Sequence, residues 1–262
     1  MFPPWAPFFG VLPAGGITAA PSKLGSATVQ RPGDYGLGVI TSKDNEKLKL
    51  VRKLHDRRWR DKLGLLVAEG EDLVEAASNA GLEPVELLIA GETVAPELMA
   101  DISTLGHPPR VIAVYRSEDL PRGTRPVTLA LWHVADPGNV GTLLRSADAF
   151  GAAIALSPGC ADLTGPKALR ASMGAVFRVP VSGFDAPEGR RVALVAHGGT
   201  LLPEVDLDGD VVFVLGAERD GLPKDVLARC DALASIPQSG DIESLNVAMA
   251  GTVALYELAR RG

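Results

Sequence analysis

Cysteine is scarce in this chain: of 262 residues only Cys160 and Cys230 carry a thiol, far apart and with no CxxC pair or Cys/His cluster beside either. That excludes a disulfide framework and indicates no metal site, so a reducing cytoplasm is the expected compartment. No apolar run reaches the roughly 18 residues of a membrane-spanning helix. The opening MFPPWAPFFG lacks the basic start and unbroken apolar stretch of a secretion signal, so neither membrane insertion nor export is expected. GxGxxG and the P-loop are missing too. The glycine-bounded loop ending at Gly221 continues Leu222-Pro223 rather than Lys-Ser/Thr, which removes the usual signatures of dinucleotide and nucleoside triphosphate binding.

Positive charge is in overall deficit, with 26 Lys and Arg against 32 Asp and Glu for a net −6, which by itself disfavours a polyanionic partner. The distribution reverses that reading. Residues 41–62 (TSKDNEKLKLVRKLHDRRWRDK) hold nine basic and four acidic residues, a balance of +5, whereas residues 63–120 hold two and eleven, a balance of −9. A basic face on an acidic protein is a candidate RNA or DNA contact. The rest of the composition, 46% hydrophobic and 22% charged, is that of a globular enzyme with room for two modest domains or one large one.

Residues 1–38 carry seven Gly, six Pro and three charged residues with no helical or strand period, and read as a flexible extension. From Val39 the pattern changes. Leu50, Val51 and Leu54 share one side of a helix expected over 46–60. An apolar run at 65–67, a helix over 71–80 closed by Gly81, and runs at 85–89 and 111–114 follow. Together they predict a small βαβαβ-like unit over 39–120. Two prolines bracket a linker at 121–126. Over 127–262, apolar runs at 127–134, 152–156, 178–182, 192–196, 211–215 and 233–236 alternate with helical or turn-rich segments. Such runs predict a second α/β unit, a buried parallel sheet with helices on each side.

Three segments there could carry chemistry. In DPGNVGTLLRSADAFG (136–151) the apolar residues Val140, Leu143, Leu144, Ala147 and Phe150 fall on one helical side, with Arg145 roughly 160° from their centre. Arg145 therefore points away from its own core and is either a solvated surface arginine or a functional one. In VVFVLGAERDGLP (211–223) a buried strand runs into a loop that sets Glu218 at a carboxyl edge, where ligands of parallel sheets bind, unless the loop is a simple turn. In IPQSGDIESLNVAMA (236–250) Ser244 is a candidate helix N-cap. Asn246 would then lie in the first turn of a helix otherwise expected to be buried, where an unpaired amide costs about 1–3 kcal/mol.

In this order these segments resemble the three motifs of the SpoU branch of the SPOUT RNA methyltransferases. The likeness covers about residues 127–262. Residues 40–120, with VRKLHDRRWRDKLGLLVAEGEDLVEAA, resemble the ribosomal-protein-like RNA-binding domain that often precedes them. The resemblance implies an α/β knot, a helix-flanked parallel sheet with a C-terminal trefoil knot, in a homodimer whose active site lies across the interface. It implies transfer of a methyl group from S-adenosylmethionine to a ribose 2′-hydroxyl of ribosomal RNA. Transfer RNA is the alternative substrate, and a non-catalytic RNA-binding protein of the same fold the alternative role.

Carried over residue by residue, Arg145 matches the arginine proposed to activate the hydroxyl. A guanidinium is a poor base at neutral pH, so stabilising alkoxide charge or gripping a phosphate is the better reading. Asn139, Glu218, Ser244 and Asn246 match the other polar positions. The donor is expected against Leu215, Gly216, Ile236 and Leu245, with His197 and Gly198 bordering it. Lys167 and Arg170, beside Ser172 in GPKALRASMGAVFRVPV, would hold RNA phosphates or form a solvated face. Arg57, Arg58 and Arg60 are expected on the RNA face, where Trp59 either stacks on a base or packs in the core.

Overall fold

The computed structural model describes residues 38–239 and 244–261, so the extension expected over 1–38 lies, but for Gly38, outside the described residues. The helical period over 46–60 is broken in two. Asn45 caps α1 (Glu46–Leu54), and Asp56 then accepts a bond from the Arg58 N–H at 2.9 Å and starts α2 (Arg57–Leu63), which Gly64 ends in the left-handed region at φ 63°. A side chain that can satisfy a helix N-terminus thus outcompetes continuation of the first helix. There follow β1 (Leu65–Glu69), α3 (Glu71–Asn79), β2 (Glu86–Ile89), α4 (Pro96–Ile102) and β3 (Val111–Arg116).

These strands form a sheet of order β1-β3-β2 in which β3 runs antiparallel to both neighbours. The expected βαβαβ unit is therefore corrected to an antiparallel α/β lobe. Short buried apolar strands look alike in either direction, so their composition does not encode it. On β1 the side chains alternate: Val67 packs with Leu48, Val51 and Leu54 of α1 and with Met99 of α4, while Leu66 and Ala68 face the C-terminal half. The two lobes share that core, and Tyr115 of β3 meets Phe177 of the other lobe at 5.7 Å between ring centres.

The C-terminal lobe runs β4 (Val127–Leu131), α5 (Pro137–Ala149), β5 (Ala153–Leu156), α6 (Pro166–Ser172), β6 (Val181–Gly183), β7 (Arg190–Leu194), β8 (Thr200–Leu201), β9 (Val211–Leu215), α7 (Lys224–Leu227), β10 (Ala232–Ser235) and α8 (Val247–Ala259). All pairings in its seven-stranded sheet are parallel, in the order β6-β5-β4-β9-β7-β10-β8. Alternation along β9 sends Phe213 and Leu215 into the large core with α5 and α8, and Val212 and Val214 to the opposite face with Val226 of α7. Both faces are thus covered, as the continuous apolar runs require.

Close helix contacts fix α5. A Cβ on Gly141 would lie 2.5 Å from the Ala168 carbonyl oxygen of α6, an approach only glycine permits. Gly141→Ala should therefore force the two helices apart and cost about 1–3 kcal/mol, read as a lowered Tm with unchanged far-ultraviolet circular dichroism. Across from α6, Ser146 and Thr252 join α5 to α8 through their hydroxyls at 2.7 Å. The other side of α8 is not covered: Met249, Val253 and Tyr256 are 61%, 37% and 59% exposed, a stripe at helical spacing on a helix the sequence leads one to expect buried.

Candidate active site

The chain lays β4, β5 and β6 outward in one direction, returns to β7 on the far side, and only then inserts β9 between β4 and β7. At such a reversal the loops leaving neighbouring strands part and leave a crevice at the carboxyl edge. Here that crevice is a cavity of about 290 Å³ between the loops after β7, β9 and β10 and the start of α8. Leu215, Gly216, Ile236 and Leu245 line it, as the sequence led one to expect, with Glu218, Ser244 and Asn246. Gly216 is needed for the crevice itself, because a side chain there would overlap the Gly221 backbone.

One chain of hydrogen bonds ties the three motifs together. Asn246 Nδ2 donates to Asn139 Oδ1 at 3.0 Å, and Asn139 Nδ2 donates to Glu218 Oε1 at 2.9 Å. Glu218 also accepts from the N–H groups of Asp136 and Ala135 at 3.3 and 3.4 Å. Partial burial opposes the charge on Glu218, but the bonds from Asn139 and from those N–H groups outweigh it and hold the carboxyl below the usual carboxylate range. Asn246, not Ser244, is the N-cap of α8: its Oδ1 accepts from Ala248 and Met249 N–H at 2.9 and 3.3 Å. The residue is exposed rather than buried. With both ends engaged, its amide has one orientation, which passes direction on to Asn139.

Arg145 stands on the exposed face of α5, with no hydrogen bond or ion pair to any described residue. It is not part of the cavity lining of its own chain.

The family model for the SpoU rRNA Methylase family matches residues 126–256, and that for an MRM3-like substrate binding domain matches residues 45–117. The chain belongs to the SpoU rRNA methylase family. Its relatives include an uncharacterized tRNA/rRNA methyltransferase of Synechocystis sp., 32% identical over 86% of this chain and 94% of that protein. They also include the 23S rRNA (guanosine(2553)-2′-O)-methyltransferase RlmP of Bacillus subtilis, 30% identical over 84% and 98%. Among solved structures, the AdoMet-bound rRNA methyltransferase from Sinorhizobium meliloti superposes with a TM-score of 0.75 at 29% identity, over 85% of this chain and 97% of that one. This SpoU methylase is accordingly an S-adenosylmethionine-dependent RNA 2′-O-methyltransferase.

The cavity suits that donor. Apolar walls from Leu215, Ile236, Leu245, Val247 and Ala250 offer a slot for a flat purine, and the side-chain-free Gly216 leaves room beside the strand ends. Leu194, Val195, Ala196, Ala217, Arg219, Gly221 and Gln238 complete the lining; these, with Val247 and Ala250, were not assigned to it from the sequence. The signal for the first three was the end of an apolar strand at the same carboxyl edge. His197 and Gly198 lie one step further along that loop, exposed and outside the lining, so their expected place is taken by Val195 and Ala196.

In this SpoU methylase the expected RNA-facing cations divide. Arg57 and Arg58 are exposed. Arg60 is not: its side chain is buried, donating to Asp162 at 2.6 Å and to the Leu54 and His55 carbonyls at 2.8 and 2.9 Å. Its assignment to the RNA face is corrected to a clamp between lobes. Trp59 is half-buried, outside the core, with Lys53, Arg58 and Lys62 within 5.0–5.5 Å of its ring. Lys167 pairs with Asp136 at 3.0 Å, Arg170 donates to Thr104 of the N-terminal lobe at 2.9 Å, and Ser172 is buried.

Glu218→Gln should leave the fold intact and slow transfer by about 10- to 100-fold. A carboxylate accepts all three of its present donors, whereas the amide turns a donor toward one of them and loosens the loop that aligns Asn139. Single-turnover kinetics with saturating donor would check this.

Proposed function

We propose that this SpoU methylase modifies a ribose 2′-hydroxyl of ribosomal RNA in the cytoplasm, as a homodimer in which Arg145 of each chain serves the cavity of its partner. The observation that carries the reading is the Asn246–Asn139–Glu218 chain at the cavity. It binds three distant segments into one polar edge beside an apolar slot. The name of the Bacillus subtilis relative supports ribosomal over transfer RNA. Support for the dimer comes from the uncovered stripe Met249, Val253 and Tyr256 on α8. It lies next to α5, whose Arg145 has no partner of its own. An apolar patch of this kind marks an interaction site.

S-adenosylmethionine supplies an electrophilic methyl group on a sulfonium. The residues of the chain do the rest. The apolar slot would orient the donor, the Asn139–Glu218 pair would fix the loop beside it, and a guanidinium would steady the 2′-oxygen as it takes the methyl group and gives its proton to solvent water, the donor leaving as the neutral thioether with no covalent intermediate on the protein. Incubation with radiolabelled donor and unmodified ribosomal RNA, followed by digestion to nucleosides, should yield a 2′-O-methylated nucleoside. A methylated base on an unmodified sugar would overturn the reading, and label confined to transfer RNA would change the substrate.

A further inference from the structure

A second cavity, of about 450 Å³, opens where the two lobes meet, at the carboxyl end of β5. Its walls come from α2 and Gly64 of the N-terminal lobe, from Ser117 and Arg122, and from residues 156–164 of the catalytic lobe. The buried Arg60 is neutralised by Asp162, and Asp61 lies near Arg57 at 3.6 Å with both side chains well exposed. That leaves Arg122, whose backbone bridges to Val181 but whose exposed side chain has no ion pair or hydrogen bond to any described residue, as uncompensated charge, with a loosely held Arg57 also lining the cavity.

The neighbouring loop is strained. His133 has φ 52°, a left-handed conformation uncommon for a residue with a side chain. Its N–H is held by the buried Ser157 hydroxyl at 3.0 Å. Its ring stacks on Trp132 at 4.9 Å and 15°. A Cβ at Gly159 would be 3.3 Å from Cγ and Nδ1 of the same ring and 3.4 Å from Cδ2, so the Gly159 backbone also packs closely against it. His133 is thus held by Trp132, Ser157 and Gly159 while remaining exposed; it lies outside the cavity lining, next to Ser157 and Gly159, which are part of it. Strain held in place by surrounding contacts is characteristic of functional positions. Three residues on stands Asp136, whose N–H binds Glu218, at most about 10 Å of chain away.

We infer that this interlobe cavity receives the single-stranded RNA next to the target ribose, with Arg57 and Arg122 taking phosphates and the edge of His133 bonding a base or sugar. The inference rests on the RNA methyltransferase reading. It adds a binding site between the lobes, so that a strand held by the N-terminal lobe passes over the β4 loop on its way to the donor cavity.

The test uses the full-length chain and in vitro transcribed 23S rRNA, in filter binding over a salt series. Arg57→Gln with Arg122→Gln should raise the Kd about 10- to 100-fold and flatten the slope of log K against log salt by about 0.7 per arginine. Calorimetric affinity for S-adenosylmethionine should be unchanged. Transcript carrying 4-thiouridine should photocrosslink to peptides within residues 156–164 or to His133. An unchanged Kd and slope in the doubly substituted protein, or crosslinks confined to other segments, would overturn the site. Failure of the unsubstituted protein to methylate any RNA would instead remove the reading beneath it.

Discussion

Arg145→Ala should abolish methyl transfer, by about 100- to 10,000-fold, while leaving donor affinity within error. The side chain is exposed, makes no bond within its own chain and does not line its own cavity. Its loss therefore removes nothing from the fold or from the cavity of its own chain, and, in the role proposed for it, takes away a charge that would steady the oxygen where alkoxide character develops. Isothermal calorimetry and single-turnover transfer separate the two effects, and equal loss of donor binding would show the role to be wrongly assigned. Arg145→Lys tests the geometry. It keeps the charge but not the planar fork, and recovers only part of the rate if a bidentate grip matters.

Arg145→Ala also tests the dimer. Ala250→Trp should fill the donor cavity, to which Ala250 contributes its side of α8, and is expected to be inactive alone. If each Arg145 serves the partner's cavity, mixing and re-equilibrating the two inactive proteins restores one competent site in every mixed dimer, roughly a quarter of wild-type activity. If Arg145 acts in its own chain, every mixed dimer remains dead.

Much of the catalytic lobe is legible because its signals are local. Polar residues among buried apolar runs mark strand ends and helix starts, so Glu218 and Asn246 stand out from the residues themselves, whereas Asn139 reads there only as a possible helix cap and joins them through the family resemblance; the fold brings the three into one hydrogen-bonded chain. The capping role was misplaced by two residues because Ser244 and Asn246 are both good cap formers, and only the backbone decides between them. The N-terminal lobe was less legible. Strand direction there follows from connections and shared packing, and the break at Asp56 depends on its side chain accepting from the Arg58 N–H two residues on. Arg60 was the largest miss. In Arg57-Arg58-Trp59-Arg60 nothing distinguishes the fourth residue except that its side of α2 turns inward, toward an aspartate 102 positions away.

Arg60→Ala should be among the most damaging single changes in the chain, costing about 3–5 kcal/mol and lowering Tm on the order of 10 °C. The substitution strips Asp162 of its buried partner and leaves the Leu54 and His55 carbonyls without their donor. Burial opposes the Asp162 charge, but bonds from Thr164 and Arg60 outweigh it and hold its carboxyl below the usual range. A carboxyl depressed in the folded state adds stability above its unfolded value, about 3.9, and that stability is lost as pH falls through the folded value. The gap in Tm between wild type and Arg60→Ala should thus be widest at neutral pH and narrow as pH falls below about 4, down to what the lost carbonyl bonds cost. Arg60→Met combined with Asp162→Leu should recover part of the loss, because it removes the stranded charge along with its partner. A double variant no more stable than Arg60→Ala would show that the damage comes from the orphaned carbonyls of α1 rather than from Asp162.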